Sequence, residues 1–128
     1  MLIPEKPLIA IVDDDQVYRV LLRFLLTKNN YNLAFEAKNG ADCICQLQES
    51  LLFPNLIIVD LEMPIMDGFR TVKLIKLHWP EIKIIAHSSI LDPTARQRVI
   101  ACGANDFIAK GNQTIKICEL VQKVLNNA

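Results

Sequence analysis

Two unbroken apolar runs in this sequence stop on aspartate: Leu8-Ile9-Ala10-Ile11-Val12 runs into Asp13-Asp14-Asp15, and Leu56-Ile57-Ile58-Val59 runs into Asp60. A strand with one solvated face alternates apolar and polar residues, so runs without alternation belong to strands covered on both sides. Sheets covered in this way are parallel, and parallel neighbours need helical crossovers.

The intervening segments supply those helices. Val17, Val20, Leu21, Phe24 and Leu25 recur at helical spacing and predict a first helix over 15–29, with Asp15 able to cap it. Tyr31 to Ala37 predicts a second strand, and after the Asn39-Gly40 break Ile44, Leu47 and Leu51 mark a second helix. Met63-Pro64 and Asp67-Gly68 predict a loop beyond Asp60, and Phe69, Val72 and Ile75 a third helix that ends before Pro80. Ile82 to Ala86 predicts a fourth strand. Asp92-Pro93 has the form of an N-cap followed by a first-turn proline, starting a fourth helix that Gly103 closes. Asp106 to Ala109 predicts a short fifth strand, and Ile117, Val121 and Val124 a last helix over 113–126. The order is strand-helix repeated five times, which predicts an α/β fold: a five-stranded parallel sheet, doubly wound, (βα)5, with right-handed crossovers.

The 128 residues carry no long linker, low-complexity tract or internal repeat, so a single domain over residues 1–128 is expected. Equal numbers of Lys+Arg and Asp+Glu, 14 each, leave no basic footprint for nucleic acid. No apolar stretch approaches the ~20 residues of a membrane span, and the Met1–Pro7 stretch has no signal-peptide profile, so a cytoplasmic location is expected. Cys43, Cys45, Cys102 and Cys118 have neither zinc-ligand nor disulfide-framework spacing and are expected to act as reduced, small apolar residues.

In an open parallel sheet, ligands bind beyond the carboxyl ends of the strands. Asp13, Asp14 and Asp15 end the first strand, Asp60 the third, Ser88 and Ser89 the fourth, and Lys110 the fifth. Acidic side chains crowded at one rim repel one another unless a cation or an ammonium intervenes. Hard carboxylate oxygens favour Mg²⁺. Lys110 supplies a compact positive charge and Ser88 a hydroxyl donor. Together they provide what phosphoryl transfer needs, which is positioning and charge neutralisation. Asp60, at the end of the most apolar strand, is the best candidate nucleophile. Asp15 reads as a helix cap, Asp67-Gly68 as turn chemistry, and His87 as a satisfied or solvent-facing histidine. Ser89 and the Glu62 side chain stay open between site and rim polarity.

The set as a whole resembles the receiver domains of bacterial two-component response regulators, of the chemotaxis-receiver type. The matching pieces are Ile11-Val12-Asp13-Asp14-Asp15, the Asp-x-x-Met-Pro-x-Met-Asp-Gly segment from Asp60 to Gly68, Ser88-Ser89, and Gly103-Ala104 ahead of Phe107-Ile108-Ala109-Lys110. The resemblance implies a flavodoxin-like fold. It also implies a phosphoryl group accepted on Asp60 from a sensor histidine kinase or phosphotransfer protein. Mg²⁺ would be held by Asp14 directly, by Asp13 mainly through water, by Asp60 and by the backbone carbonyl of Glu62. Ser88 and Lys110 would hold the phosphoryl oxygens. Phe107 would be the aromatic that follows the Ser88 hydroxyl, with output through the face of the fourth helix, fifth strand and fifth helix. Such a domain catalyses only its own phosphorylation and dephosphorylation. It is a monomer or a phosphorylation-dependent dimer, acting by docking or as part of a longer regulator, with no nucleic-acid or membrane partner of its own.

The chain departs from the commonest pattern in having Ser88 for threonine, Phe107 for tyrosine, and Gly111 for the proline after the lysine. A trans bond and a more mobile loop are expected at Lys110-Gly111. Two alternatives stand beside this reading. One is a phosphohydrolase of the haloacid-dehalogenase type with Asp13 as nucleophile, although its expected continuation after Asp15 is missing. The other is a pseudo-receiver that works by protein contact alone.

Overall fold

The computed structural model describes residues 6–127, so the Met1–Glu5 part of the stretch read for a signal sequence lies outside it. Five strands, β1 (Leu8–Val12), β2 (Asn32–Ala37), β3 (Leu56–Val59), β4 (Lys83–Ser88) and β5 (Asp106–Ala109), form one sheet. All pairings are parallel, in the order β2-β1-β3-β4-β5. Between them lie α1 (Gln16–Lys28), α2 (Gly40–Glu49), α3 (Gly68–His78) and α4 (Ala95–Cys102), and α5 (Ile117–Asn126) follows β5. The (βα)5 expectation holds, and the topology is the doubly wound, flavodoxin-like one.

Alternate residues of each strand feed two separate cores. Ala10, Val12, Ile57, Val59, Ile84 and Ala86 pack with Cys43 and Leu47 of α2, Val72 and Ile75 of α3, and Val99 of α4. Ile9, Ile11, Ile58, Ile85 and Ile108 pack with Leu22 and Leu26 of α1 and Ile117, Val121 and Val124 of α5. Burial on both faces is why the strand sequences do not alternate. No helix among the described residues is long and apolar enough to cross a membrane.

The structure corrects several local expectations. On α1 the inward stripe is Leu22 and Leu26, with Leu25 partly buried, while Val17, Val20, Leu21 and Phe24 face outward. The helix is apolar around much of its circumference, so two stripes share one period. The Asp15 cap, which accepts the Val17 N–H at 2.9 Å, starts the helix with the Leu22 stripe toward the sheet. Leu51 lies beyond the end of α2 and is fully exposed. The fourth helix begins at Ala95 rather than at Pro93, because Asp92 accepts the Thr94 N–H and hydroxyl and closes a turn ahead of it. The last segment opens with a 3₁₀ turn, Thr114–Lys116, before α5. Of the cysteines, Cys43 is buried, with its thiol pushed up to about 12 chiefly by that burial, whereas Cys45 is exposed rather than part of a core.

Candidate functional site

The chain passes from β1 to β2 on one side and then returns to β3 on the other. The strand order therefore reverses between β1 and β3 and leaves a crevice at their carboxyl ends. Asp13 and Asp60 are the first residues past those two ends. Their backbones are fixed by the sheet: the Asp13 N–H donates to the Ala37 carbonyl at 3.0 Å and the Asp60 N–H to the Val12 carbonyl at 2.8 Å. Only 1% of Asp13 and 3% of Asp60 is exposed, so both carboxylates sit where water cannot offset their charge.

Lys110 reaches this pair from the end of β5, its backbone N–H held by the Ser88 carbonyl at 2.9 Å. Its ammonium lies 2.9 Å from Asp13 Oδ2 and 3.4 Å from Asp60 Oδ2, and donates a hydrogen bond to Asp13 Oδ1 at 3.2 Å. Asp13 Oδ1 also accepts the Asp15 N–H at 2.9 Å. Asp13 Oδ2, although close to the ammonium, is reached at an angle that gives it no hydrogen bond. The ammonium stands over the Tyr18 ring, 4.4 Å from its centroid.

The charges do not balance within the site. Burial, followed by the neighbouring Asp13 charge, pushes Asp60 up to about 7. Burial likewise raises Asp13 against the pull of the Asp15 N–H and Lys110. Lys110 is raised as well, because Asp13 and Asp60 together outweigh the burial that would lower it. One ammonium shared by two buried carboxylates leaves the pair short of positive charge, and exposed Asp14 adds a third acid. Oxygens of Asp13, Asp14 and Asp60 lie within 4.8 Å of one another. The all-oxygen donor set, the spare capacity of Asp13 Oδ2 and the missing positive charge fit a small hard divalent cation.

Ser88 is buried at the end of β4, and its Oγ accepts the Ile90 N–H at 3.1 Å. Glu62 is exposed, and its N–H approaches Asp60 Oδ1 at 3.4 Å. Asp15 is the α1 cap and stays exposed, as does Ser89. Phe107 does not join the carboxylates. It pairs with Ala86 in the sheet and packs half-buried against the core beneath α3 and α4.

Some neighbours of the site were not singled out in the sequence. Tyr18 and Thr114 carry no motif. Asp67 is more than a turn residue, since it caps α3 by accepting the Arg70 N–H at 2.9 Å. Gly68 has a steric role: a Cβ there would lie 2.1 Å from the Asp60 carbonyl oxygen. Gly68→Ala is therefore expected to push the backbone under Asp60 aside, at about 1–3 kcal/mol for an overpacked site. Thermal melting checks it, and an unchanged melting point would show that the loop yields freely. His87 is buried rather than solvent-facing. Its Nδ1 has no partner, and burial, then the Lys110 charge, pulls it down to about 4.

Comparison with known proteins agrees with this geometry. The family model described as the response regulator receiver domain matches residues 9–122. The chain is 35% identical to the chemotaxis protein CheY of Bacillus subtilis over 92% of its length and 97% of that protein's. It is 34% identical to the CheY of Thermotoga maritima over 91% of its length and 95% of that protein's. Among solved structures, the response regulator domain of Thermotoga maritima CheB superposes with a TM-score of 0.84 at 25% identity, covering 97% of this chain and 99% of that one. The family match spans both strand ends that carry the buried aspartates and the lysine that joins them, and this chain belongs to the response regulator receiver domain family.

Proposed function

We propose that this receiver domain accepts a phosphoryl group on Asp60 from a phosphohistidine of a sensor kinase or phosphotransfer protein, in a reaction that requires a divalent cation, Mg²⁺ by preference. The observation that carries this reading is a buried Asp60 carboxylate that shares a single ammonium with a second buried carboxylate. An Asp60 oxygen attacks phosphorus, the acyl phosphate bond forms, and the P–N bond breaks with its electron pair going to the leaving imidazole. Lys110 stays charged against the added negative oxygens, and the Ser88 hydroxyl, at the neighbouring strand end, turns from the Ile90 N–H to donate to one of them. Asp13, Asp14, Asp60 and the Glu62 carbonyl would hold the cation, which when bound neutralises charge on the phosphoryl oxygens. Charge repulsion alone would otherwise keep an anionic donor away from this rim.

The acidic rim is flanked by α1, which starts at the Asp15 cap and turns Val17, Val20, Leu21 and Phe24 outward. That apolar face is where the donor would dock. Phe24→Glu is expected to slow transfer from a protein phosphodonor at least tenfold, the scale of one buried apolar contact, while leaving phosphorylation by acetyl phosphate unchanged. Equal loss with both donors would place the defect in folding rather than docking. Output through the face of α4, β5 and α5, with Phe107 following Ser88, belongs to the same proposal.

Intact mass after incubation with acetyl phosphate tests the reading. A single phosphoryl-sized increment that requires Mg²⁺ and is lost in Asp60→Asn supports it. A folded protein that takes no increment would leave contact-only signalling as the better account.

A further inference from the structure

His87 stands on the α1/α5 face of β4, in line with Ile85 and buried to 0% exposure. An apolar side chain would fill that place without stranding a polar atom, yet the imidazole is there with Nδ1 unpartnered. Its other nitrogen, Nε2, is joined by a 2.9 Å hydrogen bond to Thr114 Oγ1, itself buried. The same Thr114 hydroxyl oxygen accepts the Gly111 N–H at 3.2 Å, and the Thr114 N–H donates to the Gly111 carbonyl at 3.0 Å. Gly111, with φ of 103°, is in the left-handed region and directly follows Lys110. On its other side the imidazole meets Tyr18 edge-on, with centroids 5.4 Å apart, and Tyr18 carries the Lys110 ammonium over its ring.

Two routes therefore run from His87 to Lys110, one through Thr114 and the Gly111 backbone and one through the Tyr18 ring. Neither involves a residue that would touch the phosphoryl group, apart from Lys110 itself. A turn built on glycine has no side chain to fix its direction, and the bonds to Thr114 supply that direction instead. Packing alone gives no reason for an imidazole inside an isoleucine-rich strand.

We propose that His87 is a positioning residue, which through Thr114 latches the Gly111 turn and so aims Lys110 at Asp60. This rests on the assignment of Asp60 and Lys110 to phosphoryl transfer made above. The latch acts on the rate of phosphorylation and leaves cation binding alone, since Asp13, Asp14 and Asp60 are held by β1 and β3.

The test compares wild type with His87→Phe, which keeps a ring against Tyr18, and with Thr114→Val and Thr114→Ser. Phosphorylation by acetyl phosphate at saturating Mg²⁺ is followed by intact mass, Mg²⁺ affinity by calorimetry, and exchange of the Gly111 amide hydrogen by NMR. His87→Phe and Thr114→Val are expected to slow phosphorylation roughly ten- to hundredfold, the scale of a misaligned reacting group. Mg²⁺ affinity should stay within about twofold, and Thr114→Ser should restore the rate because it keeps the hydroxyl. The double variant should be no slower than either single, as for two members of one chain of contacts. Gly111 exchange should speed up in Thr114→Val whether or not the protein is phosphorylated. That readout separates the latch from the assignment of Asp60, and it stands even where His87→Phe does not fold. Folded variants that phosphorylate at the wild-type rate, or a Gly111 amide unaffected by Thr114→Val, would overturn the latch. A wild-type protein that takes no phosphoryl group would instead overturn the reading beneath it.

Discussion

Replacing Lys110 with methionine is expected to slow phosphorylation of Asp60 by about a hundred- to a thousandfold, the loss that follows removal of one preorganised donor to developing negative charge. The ammonium lies within 3.4 Å of both Asp13 Oδ2 and Asp60 Oδ2, and its side chain is 6% exposed, so its charge is little screened by solvent. The same change should destabilise the protein in the absence of divalent cations, by about 3–5 kcal/mol if both carboxylates stay ionised. Protonation of Asp60 reduces that figure, because burial and the Asp13 charge already favour its neutral form. Added Mg²⁺ should recover much of the lost melting temperature, since a cation held by Asp13, Asp14 and Asp60 restores positive charge between them. It should not recover the rate, because a cation held by the carboxylates does not replace the N–H donor that Lys110 would offer a phosphoryl oxygen. Melting curves with and without Mg²⁺ and the phosphorylation rate, measured on one preparation, check both halves. A variant that phosphorylates normally would remove Lys110 from the site.

Replacing Asp60 with asparagine should have the opposite effect on stability. The carboxyl group ionises near 3.8 in an unfolded chain and is pushed up to about 7 in the folded one. Between those values the native state binds more protons than the unfolded state, so stability falls as pH rises through the window. Above it the ionised Asp60 costs the cation-free protein at most about 4 kcal/mol, at 1.36 kcal/mol for each pKa unit. Asp60→Asn removes that cost. Without divalent cations the variant should melt higher than wild type at pH 8 and at nearly the same temperature at pH 4. Saturating Mg²⁺ should narrow or invert the difference, because wild type binds the cation more tightly and gains more from linkage. A variant that melts lower than wild type at pH 8 without cations would show that Asp60 is stabilised rather than strained by its neighbours. The residue that makes the site reactive is thus expected to be one the apo fold would be more stable without.

Much of this was legible in the sequence because two periodicities carry it. Uninterrupted Leu8–Val12 and Leu56–Val59 could only be strands covered on both faces, and that fixed a parallel sheet with helices as crossovers. In a parallel sheet the residues that end the strands share one rim, which puts Asp13, Asp60, Ser88 and Lys110 together from the sequence alone. The failures have a common cause. Which face of α1 turns inward is not legible, because Val17, Val20, Leu21 and Phe24 share the helical period of Leu22 and Leu26 and only packing against the sheet separates them. The start of α4 is not legible because Asp92 serves a turn as readily as a helix cap. Tyr18 and Thr114 carry no sequence signal, and His87 reads as an ordinary histidine, because their meaning lies in contacts between α1, β4 and the turn after β5, far apart in the chain. Gly68 looked like a turn residue because the approach of the Asp60 carbonyl is visible only in three dimensions.

Asp60, rather than Asp13 or any other carboxylate of the rim, is expected to take the phosphoryl group. Borohydride reduces an aspartyl phosphate to homoserine, so reduction of the phosphorylated protein followed by peptide sequencing by mass spectrometry marks the acceptor permanently. Homoserine is expected at position 60 alone, formed only when Mg²⁺ and a phosphodonor are both present. Homoserine at position 13, with steady turnover of a phosphate ester, would contradict it and favour a phosphohydrolase built on the first strand.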